Sequence, residues 1–395
     1  MTRSPLGSVA DGASPFASLE ADRELFPTLR DRAYFASQCL GPFPEEMLED
    51  LAAYRRSLTL RSRSLGEWVE RYQEMHALTE ALLGARAGTV FLRDSATAVQ
   101  ATIAAALSPS PARNRILVGA SDFSSSRYLW SAQKERGFDV VEIDDSPSRE
   151  ASAFVSQIDE RVAVVATSLV SPVNGGLTDA AAIGAAASAA GALFVLDVYQ
   201  AIGVVPVDVN RLGADLVAGG YHKWLGGGGT GLAFGWASSR VLETLPTALP
   251  GWLAHRDLPG FHGSFVPAPT ARRFAQGMVA MEPVYTSRAG LKWVLSRGAA
   301  SLRAASEERT RRITSRALEA GLEVTSPRET HKRGGMVTIR ARDPQAIVAS
   351  LSELGFDIDA RPLAGVRVGP HPTCSIEACD AVVEAISTAI AKDRA

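Results

Sequence analysis

Short apolar runs alternate with helix-like stretches between residues 90 and 236, and this alternation constrains the fold more than any other feature. It is the pattern of βαβ units, in which a helix returns the chain to the starting edge of a parallel sheet. The sequence therefore predicts an α/β fold with a mostly parallel, seven-stranded sheet. We expect strands at residues 89–92, 115–119, 140–143, 162–167, 193–197, 216–219 and 231–236, and helices at 96–107, 125–136 and 179–190.

A second, smaller α/β unit is predicted after the Pro- and Gly-rich stretch at residues 246–269. A long arginine-rich helix at 291–320 leads into it, followed by strands at 322–325, 336–340 and 365–368 and helices at 344–354 and 375–391. We expect four parts along the chain: an N-terminal arm (1–25), a segment that contributes to the small domain (26–60), a large domain (61–289) and a small C-terminal domain (290–395).

The charge balance argues against a polyanion as the main partner. The 41 basic and 43 acidic side chains give a net charge of -2, which provides no field that would attract nucleic acid or an anionic membrane. Asp11 and Pro15 interrupt the N-terminal stretch where a secretion signal needs an apolar segment. The uncharged run at 180–196 is too short and too weakly apolar to span a bilayer. We therefore expect a cytoplasmic protein.

The cysteines and histidines give little indication of a metal site. Three cysteines are too few for a disulfide scaffold, and none forms a CxxC pair near histidines, so we expect reduced thiols that mostly pack (Cys39, Cys374 and Cys379). Most histidines are scattered and receive no catalytic role. His262, in the sequence Phe-His-Gly-Ser, is the best candidate among them for a contact in a substrate pocket.

Lys223 and Asp197 are the two residues that most strongly suggest chemistry. Lys223 is one of only five lysines and lies in GGYHKWLGGGGTG between two apolar runs, whereas Asp197 closes the apolar run 193–196. A carboxylate there is costly to bury unless it meets a cation or a donor, and ligands of open α/β sheets bind at such strand ends. Pyridoxal phosphate chemistry needs this combination: lysine forms a Schiff base and aspartate keeps the ring nitrogen protonated. A structural salt bridge is the alternative.

Two further segments bear on phosphate binding. Residues 93–97, Arg-Asp-Ser-Ala-Thr, end one strand and begin a helix, so hydroxyl groups and free N–H groups could stabilise a phosphate there. Simple N-capping by Ser95 is the alternative. The glycine run at 226–231 contains GxGxxG, but it precedes a strand, which excludes a dinucleotide fingerprint and favours a turn beside Lys223.

The stretch LDVYQAIGVVPVDVNRLGADLVAGGYHKWLGGGGTGLAFGW resembles the cofactor-binding segment of class V, fold type I pyridoxal phosphate enzymes, and the similarity extends over roughly residues 30 to 390. Within that superfamily the chain looks most like kynureninase. The motifs that carry this resemblance are residues 34–42, Ser121-Asp122-Phe123 with Tyr128, Gly251-Trp252-Leu253 with His255, Arg273-Phe274, and Arg367-Val368-Gly369-Pro370.

The resemblance implies pyridoxal 5'-phosphate as cofactor and assigns it a set of binding residues. Lys223 would form the Schiff base and Asp197 would contact the pyridinium nitrogen. Phe123 would stack on the ring, since an aromatic face fixes its plane, and Gln200 would hydrogen-bond the phenolic oxygen. The phosphate would be held by Ser95, Ala96, Thr97 and His222, with Trp252 reaching it from a neighbouring subunit of a homodimer that shares its active sites.

The resemblance also implies an α-amino acid substrate, with no nucleic acid or membrane partner. Arg367 would bind the substrate carboxylate in a bidentate way, and Arg361 would be a second contact. The expected reaction proceeds through an external aldimine and a quinonoid, with Lys223 as general base, to kynureninase-like cleavage of a Cβ–Cγ or Cβ–heteroatom bond.

Departures from the kynureninase pattern keep other reactions open. Kynureninases carry Asp-Leu-Ala-His and Tyr-Lys where this chain has Asp-Val-Tyr-Gln at 197–200 and His-Lys at 222–223, a pattern closer to cysteine desulfurases and class V aminotransferases. Transamination is therefore the main alternative, and desulfuration and epimerisation are others. A non-catalytic ligand-sensing domain of a transcription regulator is a further alternative, but the first 30 residues show no basic helix-turn-helix pattern.

Overall fold

The structure, a computed structural model, describes residues 16–146, 149–258, 263–362 and 364–394. The strands in this part of the chain are β1 (Ala33–Tyr34), β2 (Val90–Arg93), β3 (Arg115–Gly119), β4 (Asp139–Ile143), β5 (Val162–Ser168), β6 (Leu193–Asp197), β7 (Leu216–Gly220), β8 (Ala233–Ala237), β9 (Val337–Ile339), β10 (Phe356–Asp357), β11 (Asp359–Arg361) and β12 (Gly365–Val368).

The α-helices of the same residues are α1 (Ala17–Ala21), α2 (Pro27–Asp31), α3 (Glu46–Leu60), α4 (Leu65–Leu83), α5 (Ala96–Ala106), α6 (Ser124–Ser131), α7 (Ala151–Val155), α8 (Ala180–Ala189), α9 (Ser239–Thr244), α10 (Met281–Thr286), α11 (Arg288–Arg297), α12 (Ala299–Glu319), α13 (Pro344–Glu353) and α14 (Ile376–Arg394). Short 3-10 turns lie at Asp22–Leu25, Arg61–Ser64, Ala132–Arg136, Trp252–Ala254, Ala271–Phe274 and Thr330–Lys332.

A large sheet of seven strands, in the order β2-β8-β7-β6-β5-β3-β4, organises the described residues between 90 and 237. Strands β3 to β7 run parallel to one another, and β8 is antiparallel to both of its neighbours. This topology confirms the predicted α/β architecture with a mostly parallel seven-stranded sheet. Because the parallel strands end at one edge, the polar residues that follow them meet there.

Two separate apolar clusters cover the two faces of this sheet. In β6, Phe194 and Leu196 belong to one cluster, whereas Leu193 and Val195 belong to the other. Successive side chains of a strand point to opposite faces, so a strand buried on both faces is apolar at every position. The first polar residue of β6, Asp197, therefore comes where the strand reaches the edge of the sheet.

A smaller sheet, in the antiparallel order β11-β12-β9, packs with α12, α13 and α14 around a third apolar cluster. Strand β1 pairs in parallel with β10, and Ala33 and Phe35 join the same cluster. The segment around residue 34 therefore contacts the C-terminal part of the chain. The predicted limits of the four parts stay a prediction. A search of the described residues finds no helical stretch with the length and hydropathy of a membrane span.

Several predicted elements differ from the structure. The single long helix expected at 291–320 is wrong, because Gly298, with φ of +78°, separates α11 from α12. The strand expected at 322–325 is also wrong: Val324 forms one isolated bridge to Ile339 instead of a ladder. The helix expected at 125–136 ends as a 3-10 turn after Ser131. Strands β1, β10 and β11 were not expected, since runs of two or three residues carry no periodicity.

The predicted N-terminal arm (1–25) is described from residue 16 onward. This portion packs against helices of its own chain, where Asp22 accepts hydrogen bonds from Trp293 Nε1 at 2.9 Å and from Arg297 Nη2 at 2.7 Å. Glu20 forms an ion pair with the buried Arg309 at 3.0 Å. Charged side chains thus fix residues 16–25 onto α11 and α12.

Candidate active site

A cavity of about 270 Å³ opens at the carboxyl ends of the parallel strands of the large sheet. Its walls come from the segments that follow β2, β3, β5, β6 and β7 and from the loop before β8. The structure brings eight of the predicted cofactor-binding residues together around this cavity: Ser95, Ala96, Thr97, Phe123, Asp197, Gln200, His222 and Lys223.

Lys223 lies three residues after the end of β7 and lines the cavity. Its Nζ lies 4.6 Å from the centroid of the Tyr199 ring and 5.6 Å from that of the Phe123 ring. Burial lowers the pKa of the Lys223 amine to about 8, although the Asp197 carboxylate opposes this shift. Since an ordinary lysine has a pKa of 10.5, the buried amine is far more readily neutral and nucleophilic.

Asp197 ends β6 at the floor of the cavity, and each of its carboxylate oxygens accepts one hydrogen bond. Oδ1 accepts from the Tyr199 backbone N–H at 2.8 Å, and Oδ2 accepts from Gln100 Nε2 at 3.3 Å. Burial raises the pKa of Asp197 to about 6, while the Tyr199 N–H and the Lys223 ammonium act in the opposite direction. The group is therefore mainly a carboxylate at pH 7.

The N-terminus of α5 borders the cavity at residues 95–97. Ser95 is the N-cap, and its Oγ accepts from the Ala98 N–H at 3.1 Å. The alternative role of Ser95 as an N-cap is therefore realised. The phosphate site stays a prediction that is compatible with this cap, because the first N–H groups of a helix have no intrahelical partner and carry partial positive charge. Ala96 and Thr97 follow directly and line the same cavity.

His222 and Tyr199 form a hydrogen-bonded pair beside Lys223. The Tyr199 hydroxyl lies 2.9 Å from Nδ1 of His222. Burial lowers the pKa of His222 to about 4, and the neighbouring Lys223 ammonium lowers it further, so the imidazole is neutral at pH 7. Burial also raises the pKa of Tyr199 above its usual range, which keeps the phenol protonated.

Gln200 is held with its amide in a defined orientation. Trp224 Nε1 donates to its Oε1 at 3.3 Å, and its Nε2 donates to the Gln38 carbonyl at 2.9 Å. Because a primary amide carries two donors, Nε2 has a second hydrogen besides the one that bonds Gln38. Phe123 is the N-cap of α6 and is 52% exposed, so its ring can receive a planar ligand.

Arg367 and Arg361 lie in the small sheet, where the structure pairs both with Asp359. Arg367 is buried and donates from Nε and Nη2 to the two oxygens of Asp359 at 3.1 and 2.7 Å, and from Nη1 to the Pro172 carbonyl at 2.8 Å. Arg361 Nη2 lies 3.3 Å from Asp359. Sequence reasoning missed Asp359, although a β11–β12 hairpin would place it opposite Arg367.

Cys39 is the cysteine whose position differs most from expectation. Its Sγ lies 3.6 Å from Arg361 Nη2, and burial together with Asp359 raises the pKa of the thiol, so it is a neutral group near the cavity rather than a packing residue. Ionisation of this thiol would raise the pKa of the nearby Lys223 amine. Cys374 and Cys379 pack together beside Arg309, away from the cavity.

Four predicted site residues are not among those that line the cavity described here: Trp252, His262, Arg361 and Arg367. Arg367 is linked to the lining through its hydrogen bond to the Pro172 carbonyl. Trp252 lies in the 3-10 turn Trp252–Ala254 and is 48% exposed, so it contributes nothing to the cavity of its own chain. His262, the candidate for a substrate contact, lies outside the described residues. Tyr199 and Gln100, in contrast, line the cavity and were not predicted. Tyr199 could have been suspected from its place two residues after Asp197.

The chain is similar to known proteins in sequence and in fold. Its sequence matches the family described as Aminotransferase class-V over residues 36–383. Kynureninase of Deinococcus radiodurans is 29% identical over 377 residues, which cover 92% of this chain and 90% of that protein. Kynureninase of Pseudomonas fluorescens is 27% identical over 337 residues, which cover 82% of this chain and 80% of that protein. Among solved structures, a C-DES mutant with glycine covalently linked to its PLP cofactor has a TM-score of 0.83 at 18% identity and covers 93% of this chain and 99% of its own.

The residues around the cavity fit the cofactor of this family. The readily neutral amine suits the cofactor aldehyde, and the buried carboxylate suits its pyridine nitrogen. The helix N-terminus suits the phosphate, and the exposed aromatic ring suits one face of the pyridine ring. The family match includes every residue that lines the cavity. The chain therefore belongs to the class-V aminotransferase family, in its kynureninase-like branch, and is a pyridoxal 5'-phosphate-dependent enzyme of fold type I.

Proposed function

We propose that this enzyme cleaves the side chain of an α-amino acid at a Cβ–Cγ or Cβ–heteroatom bond, as a kynureninase does. The observation that carries the proposal is a single cavity in which a lysine, a carboxylate and a helix N-terminus meet. The similarity to kynureninases over 80 to 90% of their length supports this reaction over others of the family.

The proposed cofactor contacts follow from the cavity. Lys223 would hold the cofactor aldehyde, Asp197 the ring nitrogen and Phe123 one face of the ring. The second amide hydrogen of Gln200 would reach the phenolic oxygen. The phosphate would bind at the N-terminus of α5, at Ser95, Ala96 and Thr97, with His222 beside it. The bound cofactor supplies an electron sink for the carbanion that forms at Cα.

Lys223 is the proposed general base for the Cα proton of the bound amino acid. A base works best when its pKa is near the working pH, and the pKa of this amine is about 8. The rings of Tyr199 and Phe123 lie 4.6 and 5.6 Å from the amine, so it is placed beside the ring that is proposed to stack on the cofactor. One side chain thus holds the cofactor and moves the proton.

Cleavage of a Cβ–Cγ bond next to an acyl group requires a further proton transfer. One water adds to the acyl carbon, Cβ receives a proton, and the products are alanine and a carboxylic acid. Tyr199 and His222, both neutral at pH 7 and 2.9 Å apart, form a pair that can pass a proton in this step. We assign them this role because a neutral imidazole accepts a proton while the phenol donates one.

The substrate carboxylate is proposed to bind at Arg367 and Arg361. Three of the five N–H groups of Arg367 donate to Asp359 and Pro172, which fixes the guanidinium and leaves two further N–H groups as possible donors to a substrate. Two guanidinium groups and one carboxylate leave one net positive charge, which matches a single carboxylate. In this proposal Asp359 orients Arg367 and does not compete with the substrate carboxylate for the remaining positive charge.

A homodimer with shared active sites is part of the proposal. Trp252, Leu258 and Phe265 are large apolar side chains that are 48, 39 and 43% exposed in the isolated chain, on a segment next to the undescribed residues 259–262. A second subunit that covers them would bring Trp252 to the phosphate of its neighbour. Light scattering tests whether the enzyme is a dimer. Mixing Trp252→Ala with Lys223→Ala subunits tests whether the active sites are shared. A hybrid dimer would regain one intact site, in which Lys223 comes from one subunit and Trp252 from the other.

The reaction is tested by product analysis of the purified enzyme with pyridoxal 5'-phosphate. Incubation with β-acyl and β-heteroatom-substituted α-amino acids is expected to yield alanine or pyruvate together with the leaving group. Lys223→Ala should give no product and no borohydride-trapped adduct. If the wild-type enzyme instead accumulates the pyridoxamine form and needs a keto-acid acceptor, the cleavage proposal is wrong.

Transamination is the second candidate, and one feature of the site favours it. Gln200 and His222 occupy positions where kynureninases carry histidine and tyrosine. Gln200 is locked by Gln38 and Trp224 and cannot titrate, so it offers no acid or base for cleavage. The same product analysis separates the two reactions, since only transamination converts the cofactor stoichiometrically to its amine form.

A further inference from the structure

We propose that Gln100 is a positioning residue that orients the Asp197 carboxylate toward the cofactor's ring nitrogen. Gln100 lies on α5, and its Nε2 donates to Oδ2 of Asp197 at 3.3 Å. Both side chains border the cavity. The inference rests on the proposed role of Asp197 as the partner of that nitrogen, and it adds a residue that acts through Asp197 and not on the substrate.

Two donors on α6 determine which end of the Gln100 amide faces Asp197. Trp130 Nε1 donates to Gln100 Oε1 at 2.9 Å, and Ser126 Oγ donates to the same oxygen at 2.8 Å. An indole N–H can only donate, so the amide oxygen must face Trp130. The amide nitrogen is thereby directed at Asp197. Ser126 and Trp130 are four residues apart on one face of α6, which is why both reach the same oxygen.

The arrangement is buried and has little freedom to change. Gln100 is 2% exposed, Ser126 5% and Trp130 0%. A flipped amide would set Oε1 against the Asp197 carboxylate and Nε2 against two donors, which would leave buried polar groups unpaired. The proposed phosphate residues Ala96 and Thr97 precede Gln100 by one helical turn, so α5 would fix the distance between the phosphate site and the partner of the ring nitrogen.

The charge on Asp197 explains what this hydrogen bond does. Burial and the nearby Asp122 carboxyl favour the protonated acid, whereas the Tyr199 backbone N–H and the Lys223 ammonium favour the anion. A donor such as the Gln100 amide acts in the same direction, because a hydrogen bond to the charged form stabilises it. The Tyr199 backbone N–H serves Oδ1, and Gln100 is the side chain that serves Oδ2. A proton shared with the ring nitrogen is then held on the nitrogen, because a stabilised carboxylate is the weaker base.

The test compares binding of two cofactors to the apoenzyme: pyridoxal 5'-phosphate and an analogue in which the ring nitrogen is replaced by C–H. Gln100→Met keeps the length of the side chain but cannot donate. We expect it to weaken binding of pyridoxal 5'-phosphate by about tenfold or more, as for loss of one hydrogen bond to a charged group, and binding of the analogue by less than about twofold. The ¹⁵N chemical shift of the bound ring nitrogen should move toward the unprotonated value.

Control variants separate this role from a structural one. Gln133→Met replaces another buried glutamine, on the turn after α6, and should change neither affinity. Equal losses for both cofactors in Gln100→Met would overturn the proposal, because a packing defect does not depend on the ring nitrogen. If Gln100→Met does not fold, a double variant with Ser126→Ala and Trp130→Phe takes its place, because it frees the Gln100 amide to rotate. This double variant should bind pyridoxal 5'-phosphate with a smaller preference over the analogue. An unchanged preference would also overturn the proposal.

Asp197→Ala shows whether the underlying assignment is correct. It should abolish the difference in affinity between the two cofactors. If the wild-type apoenzyme shows no such difference, or if Asp197→Ala retains it, the proposed role of Asp197 fails. If the wild type and Asp197→Ala behave as expected while Gln100→Met keeps the wild-type difference in affinity between the two cofactors, the role of Asp197 stands and the role of Gln100 fails.

Discussion

Asp359 faces Arg367 directly across the β11–β12 pair and binds its guanidinium through both carboxylate oxygens. The side chains are only 6% and 5% exposed, so each charge depends on the other for its compensation. Arg361 approaches the same carboxylate from the outside at 3.3 Å. If Arg367 binds the substrate carboxylate as proposed, that carboxylate would meet a guanidinium whose orientation is already fixed, which would lower the entropic cost of binding.

Removal of Asp359 is expected to destabilise the enzyme. Asp359→Ala leaves the buried Arg367 charge with the Pro172 carbonyl but without its carboxylate, and breaking a buried ion pair in this way costs about 3–5 kcal/mol. Asp357→Ala, which breaks the half-exposed pair with Arg32, is the matched control and should cost no more than about 1 kcal/mol. Urea unfolding of the two variants measures both values. A similar loss of unfolding free energy in Asp359→Ala and Asp357→Ala would show that burial does not determine how much the Asp359–Arg367 pair contributes to stability.

Gly41 is expected to tolerate no side chain, because its backbone supports that of Lys223. Its N–H donates to the His222 carbonyl at 2.8 Å, and a Cβ at this position would lie 1.8 Å from the Lys223 carbonyl oxygen. Gly41→Ala should cost about 1–3 kcal/mol as an overpacked contact and should slow capture of pyridoxal 5'-phosphate by the displaced Lys223. Absorbance of the lysine adduct follows the capture.

Gly229→Ala is the control for this substitution, since nothing lies within 4 Å of a Cβ added there. It should leave both the stability and the rate of capture unchanged. Normal capture by Gly41→Ala would mean that the backbone at 41 can move away without disturbing Lys223.

Asp197 is expected to lower the stability of the apoenzyme at neutral pH. Its pKa is raised from 3.8 to about 6, so the folded state holds its proton more tightly than the unfolded state does. The cost of the charge therefore appears as the pH rises from about 4 to 6 and is complete above that range. Asp197→Asn should stabilise the apoenzyme at pH 7 by up to about 3 kcal/mol and should bring little gain at pH 4.

Thermal unfolding at the two pH values checks this prediction, with Asp139→Asn as a control for an exposed aspartate on β4. A gain from Asp197→Asn that is the same at pH 4 and pH 7 would contradict the assignment, because it would not depend on ionisation. Loss of stability at pH 7 would show that attraction to Lys223 outweighs the cost of burial.

Lys223 and Asp197 could be found from the sequence because their signal is local. Asp197 is the last residue of a continuous apolar run, and Lys223 follows another such run by three residues, so both come where a strand buried on both faces ends. The large sheet followed from the same alternation. Gly298 is the counterexample, since the arginine-rich periodicity continues through it while the helix does not.

Gln100 and Asp359 could not be identified from local sequence patterns, because their roles depend on contacts with residues far away in the chain. Gln100 is a polar residue within an alanine-rich helix, and its partners Trp130 and Asp197 lie 30 and 97 positions away in the chain. Asp359 becomes a partner of Arg367 only through the register of two short strands. Cys39 likewise approaches Arg361 across 322 positions of sequence.

The rate at which the apoenzyme captures pyridoxal 5'-phosphate should rise with pH around a midpoint near 8. The neutral amine of Lys223 is the form that attacks an aldehyde, and burial lowers its pKa from 10.5 to about 8. The Asp197 carboxylate raises this pKa whereas Arg367 and Arg361 lower it, so loss of the Asp197 charge should shift the midpoint to lower pH. Stopped-flow absorbance between pH 6 and about 10 measures the midpoint for the wild type and Asp197→Asn. A midpoint near 10 in the wild type would mean that the amine is solvated like an ordinary lysine and that the cavity does not activate it.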